Sequence, residues 1–269
     1  MSTQSTQSTQ STMVDVDTLD AKVQQMYTDV AKHPEEEFHF ETGRQLAERL
    51  GYPTDLLDAV PQDAVDSFAG VGWFFDLAAL QPGERVVDFG NGSGMDSFVA
   101  GALVGPAGQV QGVDYTEAQW AKATRLAQST GTTQVEFRQG RIERTPFEDG
   151  SVDCVISNGV INLIVDKQVV FREAARLLRP GGRLAIADIV TERELTEAIV
   201  SNADLWASCI GGAAQREDYR AMIEDAGLEV RQVRPNDYGF LSDQAQGATT
   251  TYGVRSVSVL AVKPDRTGS

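Results

Sequence analysis

Arg85-Val86-Val87-Asp88-Phe89-Gly90-Asn91-Gly92-Ser93-Gly94 is the stretch from which the fold can be read. A β-branched apolar run ends in Asp88, and three glycines follow in G-x-G-x-G spacing. Met95-Asp96-Ser97-Phe98-Val99-Ala100 can then start a helix. The pattern predicts a buried strand, a tight turn and a helix N-terminus, an arrangement that lets backbone approach a ligand closely. Side chains in such a turn would forbid positive φ angles and fill the ligand's space, so glycine is required.

Dinucleotide-binding turns use G-x-G-x-x-G, whose last glycine lets helix and strand pack together. Here Met95 stands at that position and the third glycine comes one residue early. Asp88 just before the turn suits a ligand with a cationic ammonium group better than one with a pyrophosphate.

Downstream, strand and helix patterns alternate as in βαβ units. Val110-Gln111-Gly112-Val113-Asp114 reads as a second strand ending in an acid, and Thr116 with Gln119 as a capping box for the next helix. Strands are expected at Val135–Arg138, Val152–Asn158 and Leu184–Asp188, with a helix carrying Val170, Ala174, Leu177 and Leu178 on one face. Two further stripes follow: Ile199, Ala203, Trp206 and Ile210, then Tyr219, Met222, Ile223 and Ala226. Leu228–Val233 and Tyr252–Val262 complete seven strands. The expectation is a doubly wound, mostly parallel α/β sheet.

Upstream, residues 1–13 are a low-complexity Ser-Thr-Gln tail, expected to be disordered. Leu19, Val23, Met26 and Val30 form a helical stripe with Tyr27 at its edge, and His33-Pro34 should end that helix. No strand pattern precedes residue 85. Residues 14–84 are therefore expected to form a helical cap, and residues 85–264 the sheet domain, with inserted helices near 191–226.

The formal net charge of -16 and the pI near 4.5 argue against nucleic acid or an anionic membrane as partner. With no apolar run of spanning length and no leader pattern, the expectation is a soluble cytoplasmic protein acting on a small molecule, as monomer or homodimer. Two distant cysteines, Cys154 and Cys209, exclude a disulfide framework and favour a reducing compartment.

Asp88–Gly94, Asp114, the Ser157-Asn158 strand end and Leu178-Arg179-Pro180-Gly181-Gly182 together resemble class I S-adenosylmethionine (SAM) methyltransferases. More narrowly, Ile156–Leu163 and Trp206-Ala207-Ser208-Cys209-Ile210-Gly211-Gly212-Ala213 are similar to arsenite methyltransferases. The resemblance implies a Rossmann-like methyltransferase fold, SAM as cofactor and S-adenosylhomocysteine as product. It implies that the turn Gly90, Asn91, Gly92 and Gly94 meets the methionine part, with Asp88 near its ammonium. Asp114 would accept both ribose hydroxyls, since one carboxylate offers two oxygens. Tyr115 would pack on the adenine face, Ile142 and Glu143 would meet adenine edges, and Ser157 and Asn158 would pass the sulfonium. Many relatives carry Asp where this chain has Ile142.

Methyl transfer in this family resembles an in-line displacement, to which protein contributes alignment and desolvation. If the acceptor needs a base, His39 is the histidine expected to serve, and Tyr27 is expected over the cofactor as part of a lid. Arsenic(III) is soft and is held by several thiolates. Arsenite methyltransferases carry cysteine in a Ser-Asn-Cys motif, where this chain has Gly159, and in a Gly-Cys-Gly stretch, near which it has Val71. Cys209 is retained, and Cys154 reads as core. The expectation is a remodelled pocket of Trp206, Cys209 and Gly159 for a small organic acceptor, with no metal. The alternatives are metalloid or thiol methylation through Cys209, or SAM binding without transfer.

Overall fold

The computed structural model describes residues 15–241 and 243–265; the tail expected at 1–13 lies outside them. Five helices precede the first strand: α1 (Val16–Lys32), α2 (Gly43–Leu50), α3 (Thr54–Asp58), α4 (Gln62–Asp66) and α5 (Phe75–Ala78). Then come β1 (Arg85–Phe89), α6 (Met95–Val104), β2 (Gln109–Asp114), α7 (Glu117–Thr130), β3 (Val135–Gln139) and β4 (Val152–Asn158). A 3₁₀ turn at Ile161–Leu163 leads to α8 (Lys167–Leu177), β5 (Leu178–Thr191), α9 (Glu197–Val200) and α10 (Ala203–Ala207). The chain closes with β6 (Ala214–Gln215), α11 (Arg216–Asp225), β7 (Glu229–Pro235), α12 (Asp243–Tyr252) and β8 (Arg255–Val262).

The sheet order is β3-β2-β1-β4-β5-β8-β7, with the two-residue β6 paired to β5. Strands β1 to β6 pair in parallel, and β8 runs antiparallel to β5 and β7. Strand order reverses between β1 and β4, so the ligand crevice of a doubly wound sheet should open outside their carboxyl ends. Both faces are buried, and period-2 alternation divides the core. Val86, Cys154, Ile156, Ala185 and Ala187 pack toward the cap helices, α6 and α7. Val87, Phe89, Val155, Leu184 and Ile186 pack toward α8 and α11. Among the described residues no helix is long and apolar enough to cross a membrane.

Four local expectations need correction. The segment from Tyr252 is not one strand: α12 occupies Asp243–Tyr252, and β8 begins at Arg255 after Gly253. The stripe through Ile199 and Ile210 is broken into α9 and α10, because the Asn202 side chain accepts from the amides of Asp204 and Leu205 and starts a new helix. β5 starts at Leu178 rather than Leu184, pairing with Val152 before a register shift. Thr116 makes no side-chain cap, and Gln119 reaches away from the helix end, its Oε1 taking Ser93 Oγ at 2.6 Å and its Nε2 giving to Tyr27 O at 2.9 Å.

Gln119 is one of several ties that hold α1 across the sheet. Buried Lys122 donates to Ala31 O at 2.9 Å and Ser67 Oγ at 2.8 Å, while Ser67 donates to Val30 O at 2.9 Å. Lys22 pairs with Asp204 of α10, and Arg141 with Asp20. The helix ends at Lys32, before His33-Pro34, as the residue preceding proline requires.

Candidate active site

A crevice of about 1070 Å³, part of it open to solvent, lies where the strand order reverses. Its walls include Asp88, Gly90, Asn91, Gly92, Asp114, Tyr115, Ile142, Glu143, Asn158, Gly159 and, from α1, Asp20, Val23 and Tyr27. Strands β1, β2 and β4 thus deliver their carboxyl-terminal residues to one place. The turn works because Gly90 has φ +71° and a Cβ there would stand 2.4 Å from Val160. Gly94, φ +95°, ends the turn against Phe137 and begins α6 without lining the crevice.

Three buried carboxylates converge on this turn. Asp88 is 2 % exposed and accepts from Ser97 Oγ at 2.6 Å. Burial pushes its carboxyl well above the usual range, and the charges of Asp96 and Asp114 push it further. Asp96, in the first turn of α6, takes Tyr52 Oη at 2.5 Å and Asn158 Nδ2 at 2.9 Å. Burial raises it to about 6, those two donors working against the rise. Asp114 accepts the amides of Gly92 at 2.9 Å and Thr116 at 2.8 Å; burial raises it too, opposed by both amides. Among the described residues none of the three has an ion-pair partner. Three carboxylates out of water without a counterion form a site that a cation would complete.

Asp96 was not singled out from the sequence, although its place just after the third glycine puts it in the first turn of a helix that begins at the crevice. Tyr52, 3 % exposed on the cap, carried no such signal. The two join Asn158 in a knot that fixes the cap to the sheet. Asn158 Oδ1 accepts from Val71 N at 2.7 Å, and Nδ2 reaches Tyr52 Oη at 3.1 Å and Gly72 O at 3.0 Å. The Asn158 amide expected beside a sulfonium is therefore committed to the cap. Ser157 is buried, does not line the crevice and donates to Phe89 O at 2.8 Å, locking β4 to β1. Gly72 permits the close pass of this strap, since a Cβ would lie 2.1 Å from Asn236 Nδ2.

Tyr27 lines the crevice, and its hydroxyl stands 3.8 Å from Cys209 Sγ. Burial lifts the phenol well above its ordinary value, as does neighbouring Cys209. His39 stands apart. It is exposed on the loop between α1 and α2 and lines a separate surface groove with Phe38, Phe40, Glu41 and Leu241. The imidazole lies outside the crevice wall, so the structure does not bring the expected base to the site. Glu143 is half-buried on the crevice wall, 3.5 Å from Arg141 Nη1, and Ile142 is buried there.

Beside the crevice, Val71, Gly159 and Cys209 come together. A Cβ on Gly159 would lie 3.2 Å from Val71 Cγ1, and Cys209 Sγ is 3.9 Å from Gly159 O. Cys209 has φ +63°, and burial raises its thiol to about 12. Trp206 is buried behind it, its Nε1 donating to Leu163 O at 3.0 Å. Neither Trp206 nor Cys209 lines the crevice itself; Gly159 does. Cys154 lies inside the sheet, its thiol also raised to about 12 by burial. Among the described residues no group of three His, Cys, Asp or Glu side chains is arranged to hold a metal ion.

A methyltransferase-domain family model matches residues 80–227. An arsenite methyltransferase of Halobacterium salinarum is 39% identical over 84% of this chain and 58% of its own length. Another, from Aquipseudomonas alcaligenes, is 41% identical over 64% of this chain and 51% of its own. The chain thus spans between half and six-tenths of the length of these relatives. Among solved structures, an arsenic(III) S-adenosylmethionine methyltransferase from Chlamydomonas reinhardtii superposes with a TM-score of 0.62 at 30% identity, over 84% of this chain and 75% of that one. The doubly wound sheet, the acid-flanked glycine turn and these matches agree: the chain belongs to the SAM-dependent methyltransferases, in their arsenite-methyltransferase-like branch.

Proposed function

We propose that the protein transfers a methyl group from SAM to a small organic acceptor. The observation that carries this reading is the convergence of Val71, Gly159 and Cys209 with one thiol among them. At neutral pH that thiol is protonated, because burial raises it to about 12. A soft metalloid needs several thiolates, and the described residues around Gly159 offer none in that form. Phenol, thiol and apolar side chains make a neutral surround that suits an organic acceptor.

In this reading SAM supplies an electrophilic methyl carried on a sulfonium. The residues of the turn fit the rest of that molecule. Asp88 and Asp96 offer carboxylates to its ammonium, and Asp114 keeps lone pairs free for the ribose hydroxyls while holding the turn through Gly92. Tyr115 and Ile142 give apolar area at the adenine end. With no histidine on the crevice wall, the acceptor arrives already nucleophilic, and the protein contributes orientation and exclusion of water through α1.

The relatives named arsenite methyltransferases favour a second reading, metalloid methylation through Cys209. One assay separates the two. S-adenosylhomocysteine release is followed with pooled small organic acceptors and with arsenite plus thiol, products being identified by mass spectrometry. Turnover with an organic pool and little with arsenite is expected. Robust methylated arsenic, lost in Cys209→Ser, would establish the second reading. Cofactor binding without release under any condition would leave a binding protein.

A further inference from the structure

Arg141 sits two residues beyond β3 and meets three crevice-lining residues at once. Its guanidinium carbon lies 4.1 Å from the centroid of the Tyr115 ring, well within cation–π range. One amino group pairs with Asp20 of α1, and the other is 3.5 Å from Glu143. Asp20 and Glu143 hold the guanidinium charged. Tyr115 directly follows Asp114, so the stacked ring stands beside the carboxylate that holds the glycine turn.

We propose that Arg141 is a positioning residue for the adenosine end of the cofactor, an inference that rests on the SAM reading above. Its planar fork does two jobs that an ammonium cannot combine: it stacks on Tyr115, fixing the ring against which adenine packs, and it pins α1 through Asp20. Cofactor affinity and the seating of α1 are thereby coupled through one side chain. Asp20 supplies the cap's share of the coupling.

The test compares wild type with Arg141→Ala, Arg141→Lys and Asp20→Asn. Calorimetry measures affinity for S-adenosylhomocysteine and for methylthioadenosine, which carries the nucleoside without the amino acid. Hydrogen exchange follows Val16–Lys32. Arg141→Ala should weaken both ligands by the same factor, roughly three- to tenfold, and abolish ligand-induced protection of α1. Arg141→Lys should retain part of that protection, because the pair with Asp20 survives, but recover little affinity. Asp20→Asn should lose protection with a smaller affinity change. Since Arg141 is 43% exposed, its replacement should leave the melting temperature of the unliganded protein unchanged, which separates positioning from folding. Equal ligand affinity and equal protection in Arg141→Ala would overturn the proposal, as would weakening confined to S-adenosylhomocysteine. Failure of the wild-type protein to bind either ligand would instead overturn the cofactor reading.

Discussion

The two ends of the crevice are built alike and charged differently. At one end β1 and β2 deliver Asp88 and Asp114 to a glycine turn, with Asp96 from α6 beside them: three buried carboxylates and no paired cation among the described residues. At the other, β4 brings Gly159 to the crevice wall and α1 brings Tyr27, with Val71 and Cys209 packed behind Gly159, all neutral at physiological pH. Burial raises all of these groups, but from different ordinary values. Lifted to about 6, Asp96 is still largely ionised at neutral pH and favours a positively charged occupant, whereas the thiol and phenol stay protonated and demand none. On the proposed function, the carboxylates meet the cofactor's ammonium and the neutral side chains meet the acceptor.

The largest effect should come from removing the carboxylate that organises the turn and, on the proposed function, meets the ribose. Asp114→Ala should weaken SAM binding about ten- to a hundredfold, the loss of a charge-assisted pair of contacts worth about 1.5–3 kcal/mol. Calorimetry on the folded variant checks it. Unchanged affinity would erase the distinction between the two ends.

The same contrast has a pH signature. Asp96 is raised from 3.8 to about 6, so between those values the unliganded fold holds a proton that the unfolded chain has released. Its contribution to unliganded stability is full below 3.8 and is lost as pH rises through about 6. On the proposed function the ligand's ammonium favours the ionised form, so affinity runs the other way. S-adenosylhomocysteine affinity should fall by about tenfold for each unit that pH drops below 6, and the thermal shift it produces should shrink in parallel. Asp96→Asn should flatten that limb.

How much of each end could be read from the sequence follows from what kind of contact builds it. The cofactor end is local. Asp88, Gly90 and Gly92 lie within one strand and turn, and Asp114 is the last residue of the neighbouring strand, so periodicity and glycine spacing expose them. The cap side of the site is assembled from far-apart segments, whose contacts carry no spacing signal. Tyr52 meets Asp96 and Asn158 across separations of 44 and 106 residues. Gln119 has the spacing of a capping residue, yet the tertiary contact with Tyr27 takes its side chain. His39, attractive for its aromatic neighbours, is on the outside because its loop turns those rings toward one another, Phe38 stacking on Phe40 at 5.7 Å. The strand pattern at Tyr252–Val262 absorbed the last residue of α12 because Tyr is enriched in strands when propensity alone is weighed.

A smaller effect should follow from rebuilding the metalloid ligands that the neutral end lacks. Gly159 has φ +72°, and its added Cβ would press on Val71 at 3.2 Å. Gly159→Cys should therefore cost about 1–2 kcal/mol of stability through left-handed backbone strain. Val71→Cys removes the crowding methyl group, so the double variant should be less destabilised than the sum of the singles in chemical denaturation. Arsenite-dependent S-adenosylhomocysteine release that appears only in the double variant would show that the missing thiols, rather than the remaining architecture, set the acceptor class.

The smallest effect is expected at Tyr27, where the two ends meet under α1. Its ring packs beside Phe40, centroids 6.1 Å apart and planes 15° from parallel, while its backbone carbonyl is held by Gln119. Among the described residues the hydroxyl's hydrogen-bond partner is Cys209 Sγ at 3.8 Å, and a thiol is a weak one. Removing that oxygen leaves ring, helix and carbonyl contact in place. Tyr27→Phe should thus change stability by no more than about 0.5–1 kcal/mol and transfer by about two- to fivefold. Tyr27→Ala, which opens the crevice to water, should reduce transfer much further while leaving S-adenosylhomocysteine bound. Measuring kcat and KM for both variants separates the uses of the side chain. A collapse of kcat in Tyr27→Phe with KM unchanged would mean that the hydroxyl touches the reacting atoms, and the acceptor end would then no longer be a neutral wall but a proton-handling one.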